Sequence, residues 1–182
     1  MQSDLSPKTV LEFWRAAGRD RWFEASDDFD KELRERFLAT YEAAAAGKLA
    51  SWEDTPEGAL ALLLLLDQFP RNMFRKTPRA FATDAKAREV ARRALARGFD
   101  ENFKQELRSF FCLPFMHSED LADQEYCLAR YRAMGDPEGI KYAEIHRDAI
   151  SRFGRFPHRN EILGRSSTPE EIVYLESGGF RG

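Results

Sequence analysis

The sequence has 182 residues, of which 43% are hydrophobic and 32% charged, and this composition excludes a disordered or collagen-like chain. Its formal net charge of −3 argues against a general nucleic-acid-binding protein. The longest apolar run, residues 59–66, is too short to cross a membrane, and residues 1–8 lack the pattern of a secretory signal. We therefore expect one soluble domain over residues 1–182.

Proline marks the predicted starts of helices. Five of the eight prolines follow Ser, Thr or Asp, at positions 7, 56, 78, 137 and 169. An oxygen-bearing side chain caps the free N–H groups of a first turn, and proline loses no hydrogen bond there. Acidic residues after Ser26 and Ser118 predict two further starts. Glycine just past a helical pattern predicts helix ends at positions 18, 47, 98, 135 and 154.

The expected fold class is all-α. In chain order, helices are predicted near residues 7–17, 27–46, 56–68, 84–97, 101–112, 119–134, 137–153 and 169–176, with short turns near 71–81 and 158–163. Residues 60–66 are apolar on every side, which is typical of a helix at the buried centre of a helical domain. Short connections predict that the neighbouring helices pack around this Leu-rich helix in antiparallel pairs.

Cysteine content and local charge give two further expectations. Cys112 and Cys127 lie in helical sequence without metal-ligand spacing, so we expect reduced, buried thiols in a cytoplasmic protein. Residues 68–98 carry 9 basic and 2 acidic residues. A solvated helix face is the interpretation we favour for this basic stretch, and an RNA or another anionic partner is the alternative.

The other three prolines lie in polar stretches, and the first of these is residues 67–72. Asp67 ends the most buried helix, where the negative end of the helix dipole disfavours a carboxylate. It therefore needs a cationic partner, and Arg71 is the local candidate. With Asn72, these residues form either a structural ion pair or the floor of a ligand pocket.

The second polar stretch surrounds His117. Glu119 and Asp120 follow it, and together they are candidates for a metal site or for acid–base chemistry. Their spacing matches no metal-ligand motif, and a helix N-terminus accounts for the two acids equally well. We therefore predict no metal, and nothing in the sequence points to a cofactor.

The third polar stretch concentrates cations in a turn after a helix. Cations at a helix C-terminus suit its dipole, but an aromatic-proline turn that fixes their direction also suits a clamp on a carboxylate or phosphate. The candidate ligand-binding residues are Arg152, Arg155, His158, Arg159 and Asn160.

His146 lies just before this turn on an apolar helix face. A histidine in such a place is either a hydrogen-bonded core residue or a catalytic group. Asp148 is also a candidate ligand-binding residue, and its i, i+4 spacing predicts an ion pair with Arg152.

These stretches resemble the bacterial domain-of-unknown-function family 924. The resemblance lies in residues 10–14, 22–23, 62–75, 77–84, 111–125 and 146–171. It implies a tetratricopeptide-like superhelical domain and no established activity. Two positions depart from the family pattern: Lys76 stands where the family often has Gly, and Cys112 where it often has Tyr.

Two functions remain open from the sequence. In the first, arginines hold a small anion, and His117, His146 or His158 moves a proton, because histidine titrates near neutral pH. In the second, the helix pairs bind a peptide or another acidic partner without catalysis. A purely structural role for the polar stretches is the third interpretation. In the C-terminal tail, Phe180 is the residue that could dock on the domain.

Overall fold

Proline-led helices build the protein as the sequence predicts. The computed structural model describes residues 6–182, and within that range all regular secondary structure is helical, which confirms the all-α class. Each of the five prolines that were predicted to start a helix is the first residue of a helical segment. Residues 1–5, part of the stretch in which no secretory signal is expected, lie outside the described residues.

The described chain divides between Phe111 and Cys112 into two units. The first contains α1 (Pro7–Ala17), α2 (Arg19–Phe23), α3 (Asp27–Ala45), α4 (Pro56–Leu63), α5 (Phe69–Met73), α6 (Asp84–Ala96) and α7 (Gln105–Arg108). A π-helical turn (Leu64–Gln68) joins α4 to α5. Short 3₁₀ segments lie at Ala50–Asp54, Pro78–Phe81, Phe99–Asn102 and Ser109–Phe111.

The core of the first unit forms around the Leu-rich helix. Every residue from 59 to 66 is buried, as predicted. Around them α1 supplies Trp14, whose ring stacks on Trp22 at 5.6 Å and meets Phe110 edge-on at the same separation. Such aromatic pairs stabilise a core beyond the area that they bury.

The π-helical turn absorbs Pro70 without breaking the central helix. Proline has no N–H, so the carbonyl of Leu66 loses its α-helical partner four residues later. The backbone N–H of Phe69 bonds instead to the carbonyl of Leu64, which is the i to i−5 pattern of a π-helix. The Leu66 carbonyl accepts a 2.6 Å hydrogen bond from the hydroxyl of Thr83. Helical structure therefore continues to Met73, beyond the predicted end at residue 68.

The predicted helix over residues 101–112 is wrong, because this segment is broken into short pieces. Phe103 and Lys104 adopt extended backbone between the 3₁₀ turn Phe99–Asn102 and α7. A second 3₁₀ turn follows at Ser109–Phe111. Asp100 is buried and accepts a 2.8 Å bond from Arg108, so a tertiary ion pair folds the segment back on itself.

The second unit contains α8 (Leu113–Met116), α9 (Leu121–Met134), α10 (Pro137–Phe153), a 3₁₀ turn (Pro157–Arg159) and α11 (Pro169–Glu176). Helices α9 and α10 form an antiparallel pair, because Arg132 bonds Glu144 at 3.0 Å while Glu125 lies 3.9 Å from Arg147. The turn between the helices uses Gly135, whose left-handed backbone satisfies the last carbonyls of α9.

The predicted start of α9 at Ser118 is corrected to Asp120. The Asp120 carboxylate accepts the Asp123 backbone N–H at 3.0 Å, as an N-cap does. Ser118 is buried, and its hydroxyl donates to the Asp123 side chain at 2.8 Å. Asp120 is therefore used in capping the helix.

The two thiols of the second unit are free and buried, as predicted. Cys127 Sγ lies 3.6 Å from the carbonyl oxygen of Cys112, and burial raises the pKa of the Cys127 thiol. Among residues 6–182, no helix combines the length and apolar character needed to cross a membrane.

Candidate functional site

In the first unit, Asp67 and Arg71 belong to a buried ion-pair network. Nη1 of Arg71 lies 3.3 Å from an Asp67 carboxylate oxygen, and its guanidinium donates two 3.0 Å hydrogen bonds to Asp84. Burial opposes the charge on Arg71, but the carboxylates of Asp67 and Asp84 outweigh that cost and raise its pKa. The predicted pairing of Asp67 with Arg71 is confirmed, and the sequence analysis missed Asp84.

Asn72 joins a neighbouring carboxylate, that of Asp30. Asn72 Nδ2 donates to Asp30 at 2.8 Å, and Arg75 donates to the same carboxylate at 2.7 and 2.9 Å. Asp30 lies on α3 and Asn72 on α5, so these bonds fasten the two helices. This geometry accords with the structural interpretation of the first polar stretch.

A surface groove of the first unit encloses about 340 Å³. Its lining contains none of the predicted site residues and is formed by Thr9, Glu12, Phe13, Ala16, Ala17, Arg21, Glu32 and Arg36.

In the second unit, Glu119 holds the turn that carries the third polar stretch. Its carboxylate accepts the backbone N–H of Phe156 at 2.8 Å and a bidentate pair of 2.7 and 2.9 Å from Arg165. Burial acts to raise the pKa of Glu119, but the bonds from Arg165 and Phe156 lower it below its usual value. Glu119 is therefore ionised, and it positions the turn over residues 154–160, which we call the Phe156 turn.

Glu171 holds the other side of the same turn. Arg155 donates to it at 2.7 and 2.8 Å, and Asn160 donates at 3.1 Å. The hydrogen bonds from Arg155 outweigh the cost of burial and lower the pKa of Glu171 to about 2. Thr168 and Glu171 also complete a reciprocal capping box at the start of α11. Arg155 and Asn160 thus already bind a carboxylate of the protein itself.

The predicted pair of Asp148 with Arg152 is wrong. Asp148 accepts a 2.8 Å bond from its neighbour Arg147, while Arg152 reaches Glu170 at 3.7 Å and stacks its guanidinium on Phe153. Between residues 6 and 182, no ion pair joins the two side chains. A sequence neighbour of Asp148 and a partner that the fold brings to Arg152 thus replace the i, i+4 pair.

All three histidines of the protein meet in one cluster of the second unit. His117 follows α8, His146 lies on the buried face of α10, and His158 lies in the 3₁₀ turn Pro157–Arg159. The ring centroids of His117 and His146 are 6.4 Å apart. The ring of Phe156 lies 5.6 Å from both His146 and His158 and so joins them.

Arg159 brings a cation into this histidine cluster. The residue is 7% exposed, its guanidinium lies 4.5 Å from the centre of the Phe156 ring, and Nη1 donates to the carbonyl of His117 at 3.1 Å. The cluster therefore combines an ionised arginine with three titratable rings.

Burial and this cation keep two histidines uncharged. Burial, then His117 and Arg159, lower the pKa of His146 to about 3. Burial and Arg159 likewise lower the pKa of His158 to about 4, although Glu119 opposes the shift. Nδ1 of His146 lies 2.7 Å from the Tyr142 carbonyl, which can only accept, so Nδ1 carries the proton and Nε2 the lone pair.

The chain matches a family model and a solved structure. The match to DUF924, described as a bacterial protein of unknown function, spans residues 10–179. The chain belongs to this family. The chain is also similar to the solved structure of ATU0120 from Agrobacterium tumefaciens, a protein of unknown function, with 46% sequence identity and a TM-score of 0.92. The alignment covers 94% of this chain and 97% of that one. No curated protein matches the chain.

Membership of DUF924 confirms the resemblance found in the sequence. The sequence patterns identified the histidines, Arg159 and Glu119, but Arg165 and Glu171, which help to hold the turn that carries them, were not predicted. The capping-box spacing of Thr168 and Glu171 was a usable signal. Arg165 had no local signal, because its partner Glu119 is distant in the sequence. In the described part of the chain, His, Cys, Asp and Glu side chains form no group that could hold a metal ion.

Proposed function

We propose that the second unit binds a small anion, a carboxylate or a phosphate, at the histidine cluster. The observation that carries this proposal is the placement of the buried Arg159 beside two histidines whose pKa values its charge lowers. A cation in a low-dielectric setting attracts an anion more strongly than one in water. Nδ1 of His158 adds support, since this buried atom has no hydrogen-bond partner within residues 6–182.

A bound anion would also change the protonation of the cluster. Negative charge near His146 or His158 favours the imidazolium form and raises the pKa of the ring. Nε2 of His146 carries a lone pair at neutral pH, so it could accept a proton from a ligand as a general base does. Acid–base chemistry at His117, His146 or His158 is the enzymatic extension of this proposal.

The remaining candidates take supporting roles in the proposal. In the first unit, Asp67 and Arg71 form a buried ion pair, and Asn72 fastens α3 to α5. Glu119, Arg155 and Asn160 fix the Phe156 turn, Asp120 caps α9, and Asp148 and Arg152 lie at the surface. Anion contact is assigned to His117, His146, His158 and Arg159.

The proposal is tested by following histidine protonation by NMR. We expect phosphate or acetate to raise the pKa of His158 relative to chloride at equal ionic strength. Arg159→Gln should abolish the difference between the anions. Arg152→Gln, which removes an exposed arginine of the same unit, should preserve it. Identical titration curves of wild type in phosphate, acetate and chloride would reject the proposal.

Peptide binding is the second candidate function. It is favoured by the α9–α10 pair, which leaves the large apolar residues Leu121, Tyr126 and Tyr142 between 37% and 47% exposed. Antiparallel helix pairs are the repeating unit of tetratricopeptide-like arrays. The proposal of peptide binding therefore includes the tetratricopeptide-like arrangement that the family resemblance implies. An acidic peptide is the partner we would expect. Tyr142→Ser should weaken peptide binding and leave an anion effect on His158 unchanged.

We also propose that the chain acts as a single domain in the cytoplasm. The two free, buried thiols support a reducing compartment. The length of the chain supports a single domain.

A further inference from the structure

An aromatic ring from the C-terminal segment already occupies the histidine cluster. The ring of Phe180 lies 4.3 Å from His146 and meets His158 edge-on at 5.1 Å. Its centroid is 6.1 Å from that of Phe156, again edge-on. Three rings therefore form a slot around a fourth, and we call the space bounded by His146, Phe156 and His158 the aromatic slot.

Two glycines direct Phe180 into the aromatic slot. Gly178 follows α11 with φ of 84°, a conformation that L side chains rarely adopt. At Gly179, a Cβ atom would lie 2.5 Å from the Tyr174 carbonyl oxygen and 2.7 Å from its ring, so no side chain fits. The Phe180 N–H then donates to the Tyr174 hydroxyl at 3.0 Å. The sharp turn of this segment is thus built into its sequence.

The attachment of this segment is weak compared with that of the slot itself. Phe180 and the preceding Gly179 are only half-buried, and Gly178 and Arg181 on either side of them are exposed. Phe156, by contrast, is fully buried and held by Glu119. A segment with few buried contacts opens at low free-energy cost, while the slot that it covers stays formed.

From these contacts we infer that the ligand of the histidine cluster is an anion that carries an aromatic ring, an arylalkyl carboxylate, and that its ring displaces Phe180. This inference rests on the proposed anion site. Uncharged histidines and Phe156 suit the faces and edges of an aromatic ring. Arg159, whose guanidinium lies 4.5 Å from the Phe156 ring centre, supplies the charge that a carboxylate on the same molecule would meet. Residues 177–182 act as a strap whose Phe180 ring fills the slot when no ligand is bound.

The test measures binding of 3-phenylpropionate, propionate and the neutral 3-phenylpropionamide by calorimetry. Wild type should bind 3-phenylpropionate more tightly than propionate. Phe180→Ala removes the competing ring, so the same ligand should bind about tenfold more tightly, because the open state is then always available. Affinity for propionate should change by less than about twofold, since propionate has no ring to place in the slot.

Two further variants separate an effect on the strap from an effect on the fold. Gly179→Ala keeps the phenylalanine but forces the strap away from Tyr174, so it should also tighten binding of 3-phenylpropionate. Val173→Ala, at a side chain of α11 that is 60% exposed, should leave all three affinities at the wild-type values.

The outcomes distinguish the slot from the anion site. If propionate and 3-phenylpropionate bind equally well to both Phe180→Ala and Gly179→Ala, the aromatic slot is wrong and the proposed anion site stands. If the amide binds as tightly as the acid, the anion site is wrong, and with it the inferred ligand class. Weaker binding of 3-phenylpropionate to Phe180→Ala would show that Phe180 helps to bind the ligand and would overturn the displacement.

Discussion

At the residue scale, Lys76 adopts a left-handed backbone conformation that is unfavourable for a residue with a side chain. Among residues 6–182 it is the one residue other than glycine with a positive φ, 62°. It lies between α5 and the 3₁₀ turn that begins at Pro78, in a turn over residues 74–77 that the Thr77 N–H closes by donating to the Phe74 carbonyl at 3.0 Å. The resemblance implies a glycine at this position, and the positive φ of Lys76 supplies the physical reason.

Replacing Lys76 with glycine should therefore stabilise the protein. A residue with a Cβ atom in the left-handed region costs about 1 kcal/mol. Lys76→Gly should therefore raise the free energy of unfolding by most of that amount. Lys76→Ala keeps the Cβ atom, so it should change stability by less than about 0.5 kcal/mol. Urea denaturation measures the free energy of unfolding of both variants, and the comparison holds when its slope against urea concentration is the same for each. An equal gain from alanine and glycine would assign the effect to the charge of lysine.

At the scale of elements, the central helix continues past Pro70 because the hydroxyl of Thr83 satisfies a backbone carbonyl of that helix. Pro70 removes the N–H that would bond to the Leu66 carbonyl, and Thr83 supplies the donor instead. The same use of its hydroxyl explains why Thr83, at the N-cap position of α6, makes no side-chain capping bond there. The π-helical turn and the start of α6 are thus one structural feature.

Thr83→Val should destabilise the protein by about 1–3 kcal/mol, because it leaves the buried Leu66 carbonyl without a partner and fills the same volume. Thr77→Val is the matched control. Its hydroxyl makes a 2.8 Å bond to the Phe74 carbonyl at an exposed position, where water can replace it. We expect less than about 0.5 kcal/mol for the control. Equal losses in chemical denaturation would mean that the Leu66 carbonyl does not depend on Thr83.

Local signals made most of these elements predictable. Ser6, Thr55, Asp136 and Thr168 cap their helices with the side chains that the sequence indicates. The π-helical turn was beyond prediction, because the donor that permits it comes from another helix. The break in residues 101–112 likewise depends on the pairing of Asp100 with Arg108, which a helical periodicity does not reveal.

At the scale of the whole molecule, the candidate site depends on residues that are distant in the sequence. The polar stretches beside the Phe-Pro turns identified the histidines and Arg159. The ring of Phe180, which completes the cluster, and Arg165, which fixes the Phe156 turn through Glu119, lie outside those stretches. Sequence patterns therefore identified the titratable and charged residues of the candidate site. The packing around these residues, which sets their pKa values, could be seen only in the folded structure.

The same electrostatics links the histidine cluster to the stability of the molecule. His146 and His158 have pKa values of about 3 and 4 in the folded protein, below the ordinary value near 6.5 that the unfolded chain restores. Unfolding therefore takes up protons at each site. The stabilisation is fully present above about pH 6.5 and is lost as the pH falls towards the folded values.

Wild-type stability should consequently fall between pH 6.5 and 5, a window above the range in which carboxylates titrate. Each neutral buried histidine contributes a slope of at most about 1.4 kcal/mol per pH unit. His146→Asn can keep the hydrogen bond to Tyr142 but cannot titrate, so its slope should be smaller by up to that amount. Urea unfolding at several pH values gives both slopes. A wild-type free energy of unfolding that stays constant from pH 6.5 to 5 would show that His146 and His158 take up protons in the folded state as they do in the unfolded chain, and the lowered pKa values would then be wrong.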